Sequence, residues 1–105
     1  MKRRLGISLY PEYSIFEEDK KYIDLANKYG FERIFMCLLS AKKPKVEIQE
    51  EYSRVIKYAK DLGFEVILDV APAIFDDLNI SYNNLDFFNE LHASGIRLDL
   101  GFDGS

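Results

Sequence analysis

The sequence predicts an α/β fold of parallel (βα) repeats, and more particularly the first half of an eight-stranded barrel. Three observations carry that expectation. A helix that ends near a glycine and leads straight into a strand occurs three times: Lys28-Tyr29-Gly30-Phe31-Glu32-Arg33-Ile34-Phe35, Asp61-Leu62-Gly63-Phe64-Glu65-Val66-Ile67-Leu68, and Ala93-Ser94-Gly95-Ile96-Arg97-Leu98. Glycine just past a helix accepts the left-handed conformation that ends it. The spacing of these units, about 32 residues, fits a strand plus a crossover helix, giving the order βαβαβαβ. The third observation is charge inside the later strands: Asp69 closes the apolar run Val66 to Val70, and Arg97 and Asp99 interrupt the run Ile96 to Phe102. A strand covered by helices on both faces reads as nearly continuous Val, Ile and Leu, so alternate charges mean that one face meets something other than packed helix. Right-handed crossovers put every helix on one side when strands add in sequence order, which is how a TIM (β/α)8 barrel closes. A doubly wound sheet reverses its order and covers both faces.

In chain order, the first strand runs from Leu5 to Tyr10. Ser8 and Tyr10 share one parity and Leu5, Ile7 and Leu9 the other, so the interior turns polar near the strand end. Helix one is expected to start at Ser14, whose hydroxyl caps the backbone while Glu17 reaches back in a capping box. Ile15, Tyr22, Ile23, Ala26 and Tyr29 form its apolar stripe. The facing of strand two stays open. A glycine-based register turns Met36, Leu38 and Ser40 inward, whereas hydrophobicity selects Phe35, Cys37 and Leu39. Helix two follows Pro44, with Ile48, Tyr52, Val55, Ile56, Ala59 and Leu62 on one side and Glu47, Glu50, Glu51, Lys57 and Lys60 outside. The third crossover is split into a short helix at Pro72 to Leu78, a break at Asn79 to Ser81, and a second helix from Asn84 to His92 capped from Ser81 or Asn83.

Composition bounds the function. Hydrophobic residues are 48% and charged residues 30% of 105, ordinary for a globular domain with its own core. A usual barrel has about 250 residues, so residues 1–105 are expected to be the amino-terminal half, strands one to four, of a longer protein. The net charge of −4, with no basic run beyond Lys2 to Arg4 and a scattered Lys42, Lys43 and Lys45, excludes nucleic acid as an expected partner. The apolar stretch after Arg4 is about six residues, too short for a signal peptide or a membrane span. Cys37 is the single cysteine, excludes an internal disulfide, and reads as a small buried hydrophobe. A cytoplasmic location fits.

The candidate chemistry lies at the strand ends. If Val66, Leu68 and Val70 face the helices, Asp69 faces inward where barrel active sites lie. Its alternative role is to cap the Pro72 turn through the backbone. By the same parity Arg97 and Asp99 face the interior, and Arg97 serves either the substrate or a structural ion pair with Asp99 or Glu65. Glu12 follows Pro11 in the loop leaving strand one, beside Tyr10, and can project a carboxylate over the same mouth or simply be solvated. Ser40 is a weaker contact candidate. Glycoside hydrolysis needs two carboxyl groups across the scissile bond, one protonated and one ionised, and Asp69, Asp99 and Glu12 can supply such a pair. His92, the only histidine, sits in a helix tail away from the strand ends, which argues against a histidine metal site. No phosphate-cradling glycine loop, nucleophile elbow or dinucleotide fingerprint is present, and no cofactor is expected.

Leu5-Gly6-Ile7-Ser8-Leu9-Tyr10-Pro11-Glu12, Arg33-Ile34-Phe35 with Cys37-Leu38-Leu39-Ser40, Asp69-Val70 with Pro72, Ile80-Ser81-Tyr82, and Gly95-Ile96-Arg97-Leu98-Asp99-Leu100-Gly101-Phe102 resemble the amino-terminal part of the bacterial 6-phospho-N-acetylmuramidase family. The resemblance covers nearly the whole chain. It implies a TIM barrel followed by a smaller cyclophilin-like domain, of which residues 1–105 are expected to carry only strands one to four of the barrel and none of the second domain, and an intracellular glycosidase that removes phosphorylated N-acetylmuramic acid from a cell-wall disaccharide during recycling. Its partner is then a phosphorylated amino-sugar disaccharide. The resemblance does not assign the acid and the nucleophile, so Asp69, Asp99 and Glu12 are catalytic candidates, and Ser8, Tyr10, Ser40 and Arg97 substrate contacts, by their position at the strand ends. Ala71, where the family form has asparagine, and Asp103, where it has a small polar residue, depart from the pattern. Two other readings stand beside this one. Four strands with two open edges make a non-catalytic half-barrel that dimerises through those edges, and an all-carboxylate magnesium site would make a lyase or isomerase of the same fold.

Overall fold

The computed structural model describes residues 6–98 of the chain. Leu5 and Asp99, both used in the sequence reading, lie outside the described residues. The elements are β1 (Gly6–Leu9), a 3-10 turn (Pro11–Tyr13), α1 (Phe16–Lys28), β2 (Arg33–Leu38), α2 (Lys45–Asp61), β3 (Glu65–Val70), α3 (Ala73–Asp77), α4 (Asp86–Asn89) and β4 (Gly95–Leu98).

All four strands run parallel in the order β1-β2-β3-β4. Strands added in sequence order, with helices between them, give the α/β architecture of a half TIM barrel. Period-two alternation splits the sheet into two faces. On one, Leu9, Ile34, Met36, Leu38, Val66, Leu68 and Val70 are fully buried and meet Ile23 and Ala26 of α1 and Tyr52, Val55, Ile56 and Ala59 of α2. The other face carries Ser8, Phe35, Cys37, Ile67, Asp69 and Arg97. The facing of strand two is thereby decided: Met36 and Leu38 go to the helices, Phe35 and Cys37 to the open side, because Ile34, Met36 and Leu38 pair with the buried Val66, Leu68 and Val70.

The glycine reading holds at two of its three positions. Gly30 (φ 82°) and Gly63 (φ 96°) take the left-handed conformation after α1 and α2. Gly95 is instead the first residue of β4, and the left-handed turn falls three residues earlier on His92 (φ 60°). Gly95 has a different reason to be small, since a Cβ there would stand 3.2 Å from Ile67 Cδ1.

Three local expectations shift. Helix one starts one residue late: Ile15 is the residue before the helix, and Glu18, not Glu17, reaches back to its amide at 3.5 Å. Ser14 is taken by another partner, donating to Asp19 Oδ1 at 2.7 Å. The α1 stripe is narrower than read, Asp19, Ile23 and Ala26, while Ile15, Tyr22 and Tyr29 are exposed, because α2 covers only one side of the helix. The second helix of the third crossover is a single turn, not the run from Asn84 to His92. Asn84 Oδ1 accepts the Asp86 amide at 3.1 Å and Ser81 Oγ the Asn83 amide at 3.1 Å, so side chains close local turns in place of helical bonds. With so little helix above it, β4 leaves Ile96 and Leu98 exposed. On α2, Leu62 at the helix end and Glu51 are each only half-buried or more exposed, so neither matches its assigned side cleanly.

Candidate functional site

The register sets Cys37, Asp69 and Arg97 side by side on β2, β3 and β4. All three face the open side near the carboxyl ends of their strands, where a barrel places its chemistry. Asp69 is 4% exposed. Arg97 donates to it through two nitrogens, Nε to Oδ1 at 2.9 Å and Nη2 to Oδ2 at 3.4 Å, the forked geometry that a carboxylate matches. Cys37 Sγ lies 4.0 Å from the same Oδ2. The guanidinium also stacks 4.6 Å above the Phe35 ring, and a Cβ at position 6 would come within 3.0 Å of that ring, so the small Gly6 gives it room. Phe35 therefore spans the floor from β1 toward the ion pair on β3 and β4.

The geometry bears on one alternative read from the sequence, the capping of the Pro72 turn by Asp69. Both Asp69 oxygens are directed at Arg97, and the turn at Pro72 is closed by backbone instead, Ile74 N to Ala71 O at 3.0 Å and Phe75 N to Pro72 O at 3.1 Å. Arg97 pairs with Asp69. Glu65 is engaged at the opposite end of the sheet by Arg33.

A second group forms over the ends of β1 and β2. The buried Pro11 starts the 3-10 turn, and Tyr13 N bonds Tyr10 O at 2.9 Å. Glu12 Oε1 accepts the Ser40 amide at 3.3 Å, and the Tyr13 hydroxyl lies 3.3 Å from Ser40 Oγ. Glu12 and Ser40, read separately from the sequence, are thus brought together. Tyr10 is 43% exposed at the head of the turn, and Ser8 is exposed on the open face opposite Phe35. Beneath this group the fully buried Tyr52 reaches from α2 to donate to Cys37 O at 2.7 Å. Burial pushes its hydroxyl well above the usual tyrosine range, and the nearby Glu12 adds to that.

Sequence reasoning missed Phe35, Cys37, Tyr13 and Tyr52. Phe35 and Cys37 share parity with Asp69 only once the pairing of β2 with β3 is known, and Tyr52 reads as plain core. Tyr13 had one available signal, its place directly after Glu12.

Asp19 is a further buried carboxyl, 4% exposed, in a cleft bordered by Ser14, Phe16, Lys43, Glu51 and Arg54. Burial raises its pKa, the Ser14 hydrogen bond opposes the rise, and Glu18 adds to it. Among the described residues, no cluster of three or more His, Cys, Asp or Glu is placed to hold a metal ion. Among the same residues, no helix is long and apolar enough to cross a membrane.

Residues 5–105 match the family described as 6-phospho-N-acetylmuramidase, N-terminal. Among solved structures, the chain is similar to a B. cereus protein described as uncharacterized, with 53% identity over 99% of this chain and 26% of that one, and a TM-score of 0.72. A conserved Enterococcus faecalis protein of unknown function shares the fold at 23% identity, covering 92% of this chain and 26% of that one, with a TM-score of 0.65. The chain spans about a quarter of the length of both, 26%. No curated protein matches it.

Proposed function

As the chain belongs to the family of 6-phospho-N-acetylmuramidase N-terminal domains, we propose that it supplies part of the active site of a glycosidase that releases 6-phospho-N-acetylmuramic acid from a cell-wall disaccharide. The observation that supports this most is the carboxylate of Asp69: nearly buried, held in an ion pair with Arg97, and presented on the open face at the carboxyl end of β3.

Hydrolysis of a glycosidic bond divides the work between two carboxyl groups. One protonates the departing oxygen, and the other, ionised, attacks the sugar carbon or activates water. Both Asp69 oxygens accept from the Arg97 guanidinium, an arrangement that suits the second role. The bonds from Arg97 hold the side chain in one orientation, so little reorganisation accompanies the reaction. Glu12 is the leading partner for the first role, standing on the adjacent loop with one oxygen fixed by the Ser40 amide. Asp99 is the other candidate. Ser8 and Tyr10 would contact sugar hydroxyls, while Arg97 and Ser40 act through the carboxylates they touch. The reaction would take place in the cytoplasm during cell-wall recycling, and the 105 residues alone are expected not to turn over substrate.

The test is turnover of a 6-phosphomuramyl disaccharide by the full-length protein carrying Asp69→Asn, Glu12→Gln or Asp99→Asn. Loss of at least about 100-fold in kcat for Asp69→Asn and for one of the other two is expected. Undiminished turnover in Asp69→Asn removes it from the chemistry.

A second reading rests on the two outer strands. Among the described residues β1 and β4 each pair on one side, so two copies of this chain can associate through these edges. Sedimentation of the 105-residue chain should then show a dimer, and a compact monomer at high concentration excludes it.

A further inference from the structure

Tyr13 presents an exposed ring above the ends of β1 and β2, and both its backbone and its hydroxyl have partners. It is 63% exposed, yet its backbone amide is bonded to Tyr10 O at 2.9 Å within a turn that starts on a buried proline, and its hydroxyl lies 3.3 Å from Ser40 Oγ. The backbone and the hydroxyl are therefore each held while most of the residue stays exposed. A tyrosine with its polar tip satisfied and its flat apolar body uncovered is suited to a partner that is apolar on one face and polar at its edges. A pyranose ring has that character, with C–H groups on its faces and hydroxyls around its rim.

Charge selects which sugar of the disaccharide this can be. Tyr13 follows Glu12, and the first turn of α1 just beyond it carries the exposed Glu17 and Glu18 and the buried Asp19, while Lys43, the lysine that senses Glu12, is paired with Glu51 at 2.7 Å and Arg54 lies against the Phe16 ring. A phosphate dianion brought to this rim would be repelled by the half-buried carboxylate of Glu12 and the exposed ones of Glu17 and Glu18, which outnumber the lysine already paired there, whereas an uncharged sugar would not. Glu12 stands one residue away and is the candidate to protonate the departing oxygen, which belongs to the unphosphorylated sugar.

We propose that Tyr13 is a specificity-determining residue whose ring stacks on the unphosphorylated leaving sugar, with Ser40 holding it in place. This rests on the glycosidase reading above. A ring fixed before binding loses little freedom when the sugar arrives, so its contribution is to affinity for that sugar and not to the charge chemistry at the bond.

The experiment uses the full-length protein and two product inhibitors, the free unphosphorylated N-acetylated amino sugar and the free 6-phosphomuramic product. Tyr13→Ala should weaken inhibition by the unphosphorylated sugar on the order of tenfold and leave inhibition by the phosphorylated one unchanged. Tyr13→Phe keeps the ring, gives up the Ser40 contact, and should stay within about threefold of wild type. Equal weakening for both inhibitors, or none for the unphosphorylated sugar, overturns the assignment. If Tyr13→Ala does not fold, Tyr13→Leu, which keeps apolar bulk without a flat face, takes its place, and unaltered inhibition in that variant overturns it too. Failure of the wild-type protein to cleave the disaccharide is a separate result and overturns the glycosidase reading itself.

Discussion

Arg97 Nε stands 2.9 Å from Asp69 Oδ1 across neighbouring strands, in an unequal pair: the carboxylate side chain is 6% exposed and the guanidinium side chain 56%. Removing either partner therefore has different consequences. Arg97→Gln leaves a charged group inside the sheet with weaker donors, whereas Asp69→Asn leaves the arginine able to turn to water. After allowance for the solvent that screens the exposed arginine, Arg97→Gln should cost about 1 to 3 kcal/mol and Asp69→Asn less. Urea unfolding of the two variants ranks them, and an equal or reversed cost contradicts the picture.

Tyr52 carries a hydrogen bond from α2 into the end of β2. Its hydroxyl satisfies Cys37 O from inside the core at 2.7 Å. Tyr52→Phe removes this buried bond and should destabilise by about 1 to 2 kcal/mol with an unchanged denaturant slope. A neutral result would mean that water reaches the carbonyl.

The buried carboxyl of Asp19 makes stability depend on pH in a definite direction. Its pKa in the fold is raised above the ordinary 3.8, chiefly by burial. The folded chain therefore holds the proton more tightly than the unfolded chain. The corresponding stability is fully present below 3.8 and is lost as pH climbs through the raised value. Asp19→Asn, which can still accept from Ser14, should flatten this decline and move the urea midpoint upward at neutral pH. A wild-type midpoint that rises with pH through that window for this group, measured as the difference from the variant, runs against the assignment.

Backbone conformation separates Gly63 from His92. Both are left-handed, at φ 96° and 60°, but only one has the residue suited to it. Gly63→Ala should cost about 1 kcal/mol. His92→Gly should be neutral or gain up to about 1 kcal/mol, the relief of a strained φ set against the extra freedom of the unfolded glycine. Thermal unfolding of the two variants gives the comparison.

The sequence by itself determined the repeating βα order, the parallel sheet and the split of its strands into an apolar and a polar face. Those features are local: a glycine that ends a helix, a period of two in Glu65–Val70, a period near 3.6 in Lys45–Asp61. It also singled out Asp69, Arg97, Glu12 and Ser40 through their positions at strand ends. What it could not supply is which of them meet. Asp69 and Arg97 are 28 residues apart and Glu12 and Ser40 also 28, so their contacts exist only once crossovers have set the strand register. The same dependence explains Cys37 and Phe35, whose facing is ambiguous within β2 and settled by the pairing of Cys37 with Asp69. Side-chain periodicity belongs to a single segment, whereas a contact between segments is fixed by hydrogen-bonded register and by which face the helices bury. That is why the open face could be read from the chain and its ion pair could not.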